Sequence, residues 1–254
     1  MEQVVVATNF VTASEASYQA LKTATLLKTL SVNALIMGEV GVGKKCLASF
    51  ILPDASIVDA SHFDELLISL ESCSELIITN IDNSPNIKRL IETVQEKNVR
   101  IIATSKQSFS NEFIDDLFSV KFDIPSLNER PGDVELLIKL FKVEAVTLFG
   151  GEDKFDLTDF QPDLSQNAKS LKRQVMVHYL HQDMQDKELM QIMENYLHKR
   201  IGSQSDYRKY LYLYEAPLIK AGLERFGSQL QLSDKLGLNR NTLRKKISDN
   251  KEYL

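Results

Sequence analysis

The sequence predicts an α/β protein, a parallel sheet with helices packed outside it, followed by an all-α carboxyl-terminal part. Three observations predict this. Short apolar runs alternate with helical segments between Val32 and Ser105, the pattern of strands joined by crossover helices. The first of those runs ends in Gly38-xxxx-Gly43-Lys44, the glycine and lysine frame of a phosphate-binding loop. Beyond Pro125 helical periodicity takes over and continues to the end of the sequence.

The elements follow in order. Ser14 to Leu30 places Tyr18, Leu21, Leu26, Leu27 and Leu30 at the spacing of an amphipathic helix. Val32 to Met37 is a short apolar run ending in glycines, hence a buried strand feeding the loop, and Cys46 to Ile51 opens a helix after it. Ser56 to Ser61 and Glu75 to Asp82 read as further strands, Asn86 to Lys97 as a helix, and Val99 to Ser105 as another buried strand. PSLNERPGD is a turn, from which Asp133 begins a helix through Val134, Leu136, Leu137, Leu140 and Phe141. The stretch from Glu152 to Asn167 is polar and broken, and Ser203 to Asp206 reads as a hinge ahead of a final helical domain.

Composition narrows the class. The 254 residues, 43% hydrophobic, suffice for two compact units. No apolar run approaches the roughly 20 residues of a membrane span, and the first ten residues have no export-signal pattern, so the expected location is the cytoplasm. Cys46 and Cys73 sit on apolar segments and read as reduced thiols. The four histidines show no zinc-like spacing, and no metal site is expected. The net charge of −5 hides an asymmetry: Lys235 to Lys251 contains six basic residues and one acid, so an acidic body carries a basic tail.

That tail holds the strongest signal. Gln229 to Leu236 is one short helix, Gly237 to Asn239 a tight turn, and Arg240 to Ser248 a second helix capped by Asn239. Leu232, Leu236, Leu238, Leu243 and Ile247 form an inward face, leaving Arg240, Thr242, Arg244, Lys245 and Lys246 outward. This is a helix-turn-helix whose second helix suits a major groove walled by phosphates. A merely solvated basic helix would carry interspersed acids, and Gly237 to Ile247 has none.

GLNRNTLRKKI resembles the recognition-helix pattern of the Fis family and of the carboxyl-terminal domains of bacterial enhancer-binding proteins, the NtrC-like activators of sigma-54 polymerase. The resemblance implies that Asn239, Arg240, Thr242, Arg244, Lys245 and Lys246 contact double-stranded DNA, Arg240 at base edges and the others mainly at phosphates, and that the cytoplasmic protein is associated with the nucleoid. It also implies a homodimer through the preceding helices, where Tyr207, Leu211, Tyr214 and Leu218 make a stripe and Pro217 matches a helix-kinking proline. Leu230 and Leu232 depart from the family, which more often has small or polar residues there. The front of the chain is similar to the AAA+ domain of the same activators: SVNALIMGEVGVGK to the strand and GESGTGKE loop, NVRIIATSKQSF to VRIIAATHQNL, and PSLNERPGDVELL to PPLRERREDIPLL. It implies a three-layer AAA+-like sheet over 1–127, a helical lid over 128–186 and a Fis-like domain over 187–254.

The departures bear on activity. Hydrolysis needs a carboxylate for Mg²⁺ and another for the attacking water, normally a paired Asp-Glu closing the third strand; the matching residues are Thr79 and Asn80. No arginine lies between Arg100 and Arg130 to serve as a finger, Lys169 in QNAKSL stands for the lid arginine, and Leu47 to Ser74 contains nothing like the GAFTGA loop that engages sigma-54. The expected protein is therefore a non-hydrolysing DNA-binding regulator with no catalytic residues. ATP or ADP held without turnover by Gly38, Gly41, Gly43, Lys44, Lys45 and Cys46, and no nucleotide at all, stand as alternatives. The rivals are a slow ATPase using Asp82 or Asp59 for Mg²⁺ and an adaptor that assembles with complete AAA+ activators.

Overall fold

Runs of four to six residues make the strands: β1 (Ala34–Met37), β2 (Ser56–Asp59), β3 (Glu75–Thr79), β4 (Arg100–Ser105) and β5 (Val120–Asp123). The computed structural model describes residues 10–106, 109, 112–150, 160–182 and 184–254. The strands form one sheet in the order β2-β3-β4-β1-β5, every neighbouring pair parallel. Its register sets Leu35 beside Ala103 and Ile36 beside Phe122. A parallel sheet is covered on both faces, which is why the interior strands β1, β3 and β4 read as mainly aliphatic runs, while the edge strands β2 and β5 carry Ser56, Asp59, Lys121 and Asp123. On one face Leu35, Ile78, Ile101 and Ala103 meet α3 (Phe63–Ser72) and α4 (Ile87–Lys97). On the other Ala34, Ile36, Ile77 and Ile102 meet α1 (Glu15–Thr29) and α2 (Lys44–Ile51). After a short α5 (Glu112–Asp115), α6 (Pro131–Phe149) and α7 (Ala168–Gln182) pack on each other around Leu127, Val134, Leu171 and Val175.

The chain divides into two compact units, Met1–Asp183 and Met184–Leu254. The second contains α8 (Asp186–His198), α9 (Asp206–Tyr210), α10 (Tyr212–Phe226), α11 (Gln229–Lys235) and α12 (Arg240–Asp249). Its core gathers Ile219, Leu232 and Leu243 with Leu223, Phe226, Leu236, Leu238 and Ile247. No helix among the described residues is long and apolar enough to cross a membrane.

Several local expectations are corrected. The buried face of α1 is Ser17, Ala20, Leu21, Ala24 and Leu27, while Tyr18, Leu26 and Leu30 are exposed, because small residues let the helix lie close against α2 and the sheet. β3 stops at Thr79; Asn80 takes a left-handed backbone and a 3-10 turn covers Ile81–Asn83, so Asp82 is not on the strand. α6 starts at Pro131, the favoured first helical position for proline, so Asp133 lies inside the first turn. Ser203 to Asp206 is interior to the second unit, where Asp206 accepts from the Gly202 and Ser203 amides at 2.6 and 2.8 Å. Of the polar stretch from Glu152 to Asn167, residues 152–159 lie outside the described residues. α3, with Leu66 and Leu70 buried at i, i+4, and β5 are additional to the elements expected.

Candidate phosphate loop and nucleic-acid interface

The loop after β1 emerges at the carboxyl end of an interior strand, with the ends of β3 and β4 alongside. Its glycines are conformationally required: Gly38, Gly41 and Gly43 have φ of 145°, 83° and 108°. At Gly41 a Cβ would lie 2.1 Å from the Gln166 carbonyl oxygen, and at Gly43 2.7 Å from the Phe10 ring, so both also permit close approach. Lys44 folds back over the loop, its Nζ donating to the carbonyls of Gly38 and Glu39 at 2.5 and 2.7 Å. Burial pushes the Lys44 ammonium below its usual range, opposed by the charges of Asp82 and Glu39. Burial likewise pushes the Cys46 thiol up. Lys45 is exposed and makes no ion pair or side-chain hydrogen bond among the described residues.

Two groups outside the motif brace the loop. Asn167, with φ of 52°, donates through Nδ2 to the Glu39 carboxylate at 2.9 Å and to the Val40 carbonyl at 3.0 Å. Its Oδ1 accepts from the Leu127 amide at 2.6 Å, and the Ala168 amide donates to the Gly41 carbonyl at 3.2 Å. Arg130 is 2% exposed, pairs with Asp133 at 3.1 Å and donates to the Val42 carbonyl at 3.1 Å. Asp133 also accepts from the amides of Ala13 and Ser14 and the Ser17 hydroxyl, tying the start of α1 to the loop. Burial lowers the Arg130 pKa, and the Asp133 carboxylate resists that shift.

At the end of β3 the structure sets Thr79 and Asn80 facing Asp59 from β2. Thr79 Oγ1 and Asn80 Nδ2 donate to Asp59 Oδ2 at 3.2 and 2.6 Å, while the Ser61 amide and hydroxyl donate to its Oδ1 at 3.0 and 2.6 Å. Burial pushes the Asp59 carboxyl up, but the hydrogen bonds from Ser61, Asn80 and Thr79 outweigh it and bring it down to about 2. Asp82 accepts from the Lys106 amide at 3.3 Å and pairs with its ammonium at 3.2 Å. The Asn80 amide donates to Thr104 Oγ1, at the end of β4, at 3.1 Å.

These groups surround a cavity of about 910 Å³, near the upper end of the range for small-molecule sites. The loop, Asp59, Thr79, Asn80 and Thr104 form one wall, and Phe10, Val11, Leu137, Leu140 and Phe141 an apolar one. Lys169, exposed, and Lys172, paired with Glu144 at 2.5 Å, face it from α7. All the sequence-identified loop residues except Gly38 line it. Asn167, Arg130 and Lys172 were not legible as site residues, because their roles arise from contacts more than 25 positions away.

In the second unit, Asn239 Oδ1 accepts from the Asn241 amide at 2.9 Å and starts α12. Gly237, with φ of 64°, ends α11. Asn239, Arg240, Thr242, Arg244 and Lys245 are exposed, with Asn241 among them in the first turn. Lys246 differs: it is half-buried and its ammonium pairs with Glu215 of α10, whose other oxygen accepts from Asn250 Nδ2 at 3.5 Å. Lys246 follows Leu243 by three positions, at the edge of the buried stripe, so it points toward α10 and not outward with the others. The unusual Leu232 is fully buried against Gly222 of α10, while Leu230 is exposed.

Residues 212–249 match the Fis family of bacterial regulatory proteins. No curated protein matches the sequence. Among solved structures the chain is similar to NtrX from Brucella abortus. Its ADP complex is 18% identical with a TM-score of 0.59, covering 94% of this chain and 69% of that one. Its ATP complex is 16% identical with a TM-score of 0.59, covering 95% and 69%. A DNA replication initiation factor is 14% identical with a TM-score of 0.50, covering 87% and 72%. At these identities the likeness is one of fold. The first unit has the AAA+ fold, and the second carries a Fis-family helix-turn-helix, the DNA-binding module of regulatory proteins.

Proposed function

We propose that this chain is a DNA-binding transcriptional regulator, related to sigma-54 activators, whose AAA+ unit holds a nucleotide without hydrolysing it. The observation that carries the regulator reading is the outward face of α12. Arg240, Thr242, Arg244 and Lys245 stand exposed on a helix whose first acid is Asp249, within the segment that matches the Fis family. The amino-terminal turn of such a helix reaches base edges and its cations reach phosphates. Tyr207, Tyr214 and Leu218 are exposed at helical spacing ahead of it, which favours a homodimer reading two half-sites about one helical turn apart. The uninterrupted helix α3 between β2 and β3 supports a chain without the sigma-54 contact loop, acting as a repressor or docked on a complete AAA+ activator.

Nucleotide binding is favoured by the cavity against the left-handed glycine loop, and by the fold shared with NtrX, a protein solved with ADP and with ATP. Turnover is disfavoured by the same geometry. Thr79 and Asn80 carry no charge, Asp59 with four donors is a weak proton acceptor, and Asp82 is tied to Lys106.

Binding of labelled duplex at graded salt tests the regulator reading. Affinity should fall steeply with salt as counterions are released, and Arg240→Ala should cost about 1–3 kcal/mol on a selected site and relax base preference there. Equal binding by Arg240→Ala and wild type would refute it. Phosphate release from ATP that Lys44→Ala abolishes would show the loop to be catalytic and overturn the second half of the proposal.

A further inference from the structure

P-loop proteins ordinarily bind their nucleotide with Mg²⁺, commonly held by a hydroxyl just after the loop lysine, where the GESGTGKE loop that this one resembles has an acid, and by a carboxylate at the end of a neighbouring strand. The donor set in this cavity does not fit that ion. The residue after Lys44 is Lys45, whose ammonium offers donors and no lone pair. The end of β3 presents a hydroxyl and an amide, Thr79 and Asn80, neutral groups where a carboxylate is usual, and both donate to Asp59.

The carboxylates lining the cavity are hydrogen-bonded or paired, and Glu39, exposed on the loop itself, keeps open acceptor sites among the described residues. Glu39 accepts from Asn167, Asp59 from Ser61, Thr79 and Asn80, Asp133 pairs with Arg130, and Glu144 with Lys172. Asp82, close enough to act on Lys44, is paired with Lys106. No group of three His, Cys, Asp or Glu among the described residues could hold a metal ion. Positive charge is supplied instead by side chains. Lys44 lies over the loop, and Lys45 and Lys169 face the cavity exposed and without an ion pair among the described residues.

We infer that this loop takes its nucleoside di- or triphosphate free of divalent cation, the Lys45 ammonium standing where related sites place Mg²⁺. The inference rests on the nucleotide-binding reading above. Lys45 is in the first turn of α2, where backbone amides also point at a bound anion, so its charge adds to theirs on the same phosphates. Mg²⁺ chelated by the phosphates would meet Lys45 as a like charge, and Asp59, the carboxylate facing the end of β3, already holds four donors.

The experiment is calorimetric titration of the full chain with ATP and with ADP, once in EDTA and once in excess Mg²⁺. Wild type should bind in EDTA as tightly as with Mg²⁺ or more so. Lys45→Glu should bind about tenfold or more weakly in EDTA, the effect of reversing one charge a few ångströms from the phosphates, and should gain from Mg²⁺. This variant adds an acid to a helix first turn, which favours folding; Lys45→Met, intermediate in charge, should fall between the two. Wild-type binding that requires Mg²⁺ would overturn the inference while leaving nucleotide binding intact. EDTA binding unchanged in both variants would also overturn it. No binding of either nucleotide in either buffer would remove the nucleotide reading and the inference together.

Discussion

Leu232 and Gly222 offer a substitution whose sign should reverse with its background. Leu232, fully buried at the start of the helix-turn-helix, rests on Gly222 in the middle of α10. A Cβ built on Gly222 would fall 2.3 Å from Leu232 Cδ1, closer than real contacts allow, so the leucine must move. Gly222→Ala therefore combines two opposing terms. Alanine in a helix interior gains about 0.8–1 kcal/mol over glycine, while overpacking a filled core costs about 1–3 kcal/mol. The net should be a destabilisation of up to about 2 kcal/mol. Leu232→Ala alone should cost about 2–5 kcal/mol by opening a cavity. In that background the clash is gone and only the helix gain remains, so Gly222→Ala should stabilise by about 1 kcal/mol. Urea unfolding of the full chain followed by tyrosine fluorescence is a suitable assay: the chain has no tryptophan, and six of its eight tyrosines lie in the second unit. The same effect of Gly222→Ala in both backgrounds, within about 0.5 kcal/mol, would refute the packing argument.

Two other predictions concern charges. Lys245→Ala should lower the salt slope of duplex binding by about one ion, as loss of a phosphate contact does; Lys246→Ala should leave the slope unchanged and instead destabilise the second unit, because its partner is Glu215. A smaller salt slope in Lys246→Ala would return that residue to the DNA face. Asp59, held at about 2 against an unfolded value near 3.9, contributes stability that is fully present above the unfolded value and is lost as pH falls through the folded one. The melting-temperature gap between wild type and Asp59→Asn should thus be flat at neutral pH and close as pH falls toward 2; a gap that widens on acidification would contradict the hydrogen-bond assignment.

The strands and the helix-turn-helix were legible because their signals are local. Ile77, Ile78, Ile101 and Ile102 are buried in a parallel sheet and so form continuous runs, and Gly237 and Asn239 mark a turn and a cap at fixed offsets. The buried face of α1 was less legible, because Ser17, Ala20 and Ala24 are buried by close approach and not by hydrophobicity. Lys246 illustrates the same limit on the recognition helix: a run of four cations names the chemistry, and only the position of Glu215 on another helix turns one of them inward. In the cavity, the glycines and Lys44 announce themselves by spacing. Asn167 and Arg130 do not, since an asparagine 127 positions beyond Val40 and an arginine 88 beyond Val42 acquire meaning only when the chain closes on itself.

That closure has a consequence for the order in which the molecule is made. The guanidinium of Arg130 joins the loop carbonyl of Val42 to Asp133, and Asp133 holds the first residues of α1. A chain growing from its amino end has translated the whole glycine loop long before Arg130 emerges from the ribosome, and Asn167 later still. Until then the carbonyl of Val42 and the amides of Ala13 and Ser14 lack these partners, and the left-handed glycines of the loop are without these braces. The phosphate loop is thus made before the groups that brace it, and it gains the last of those braces only once the beginning of α7 is free to dock.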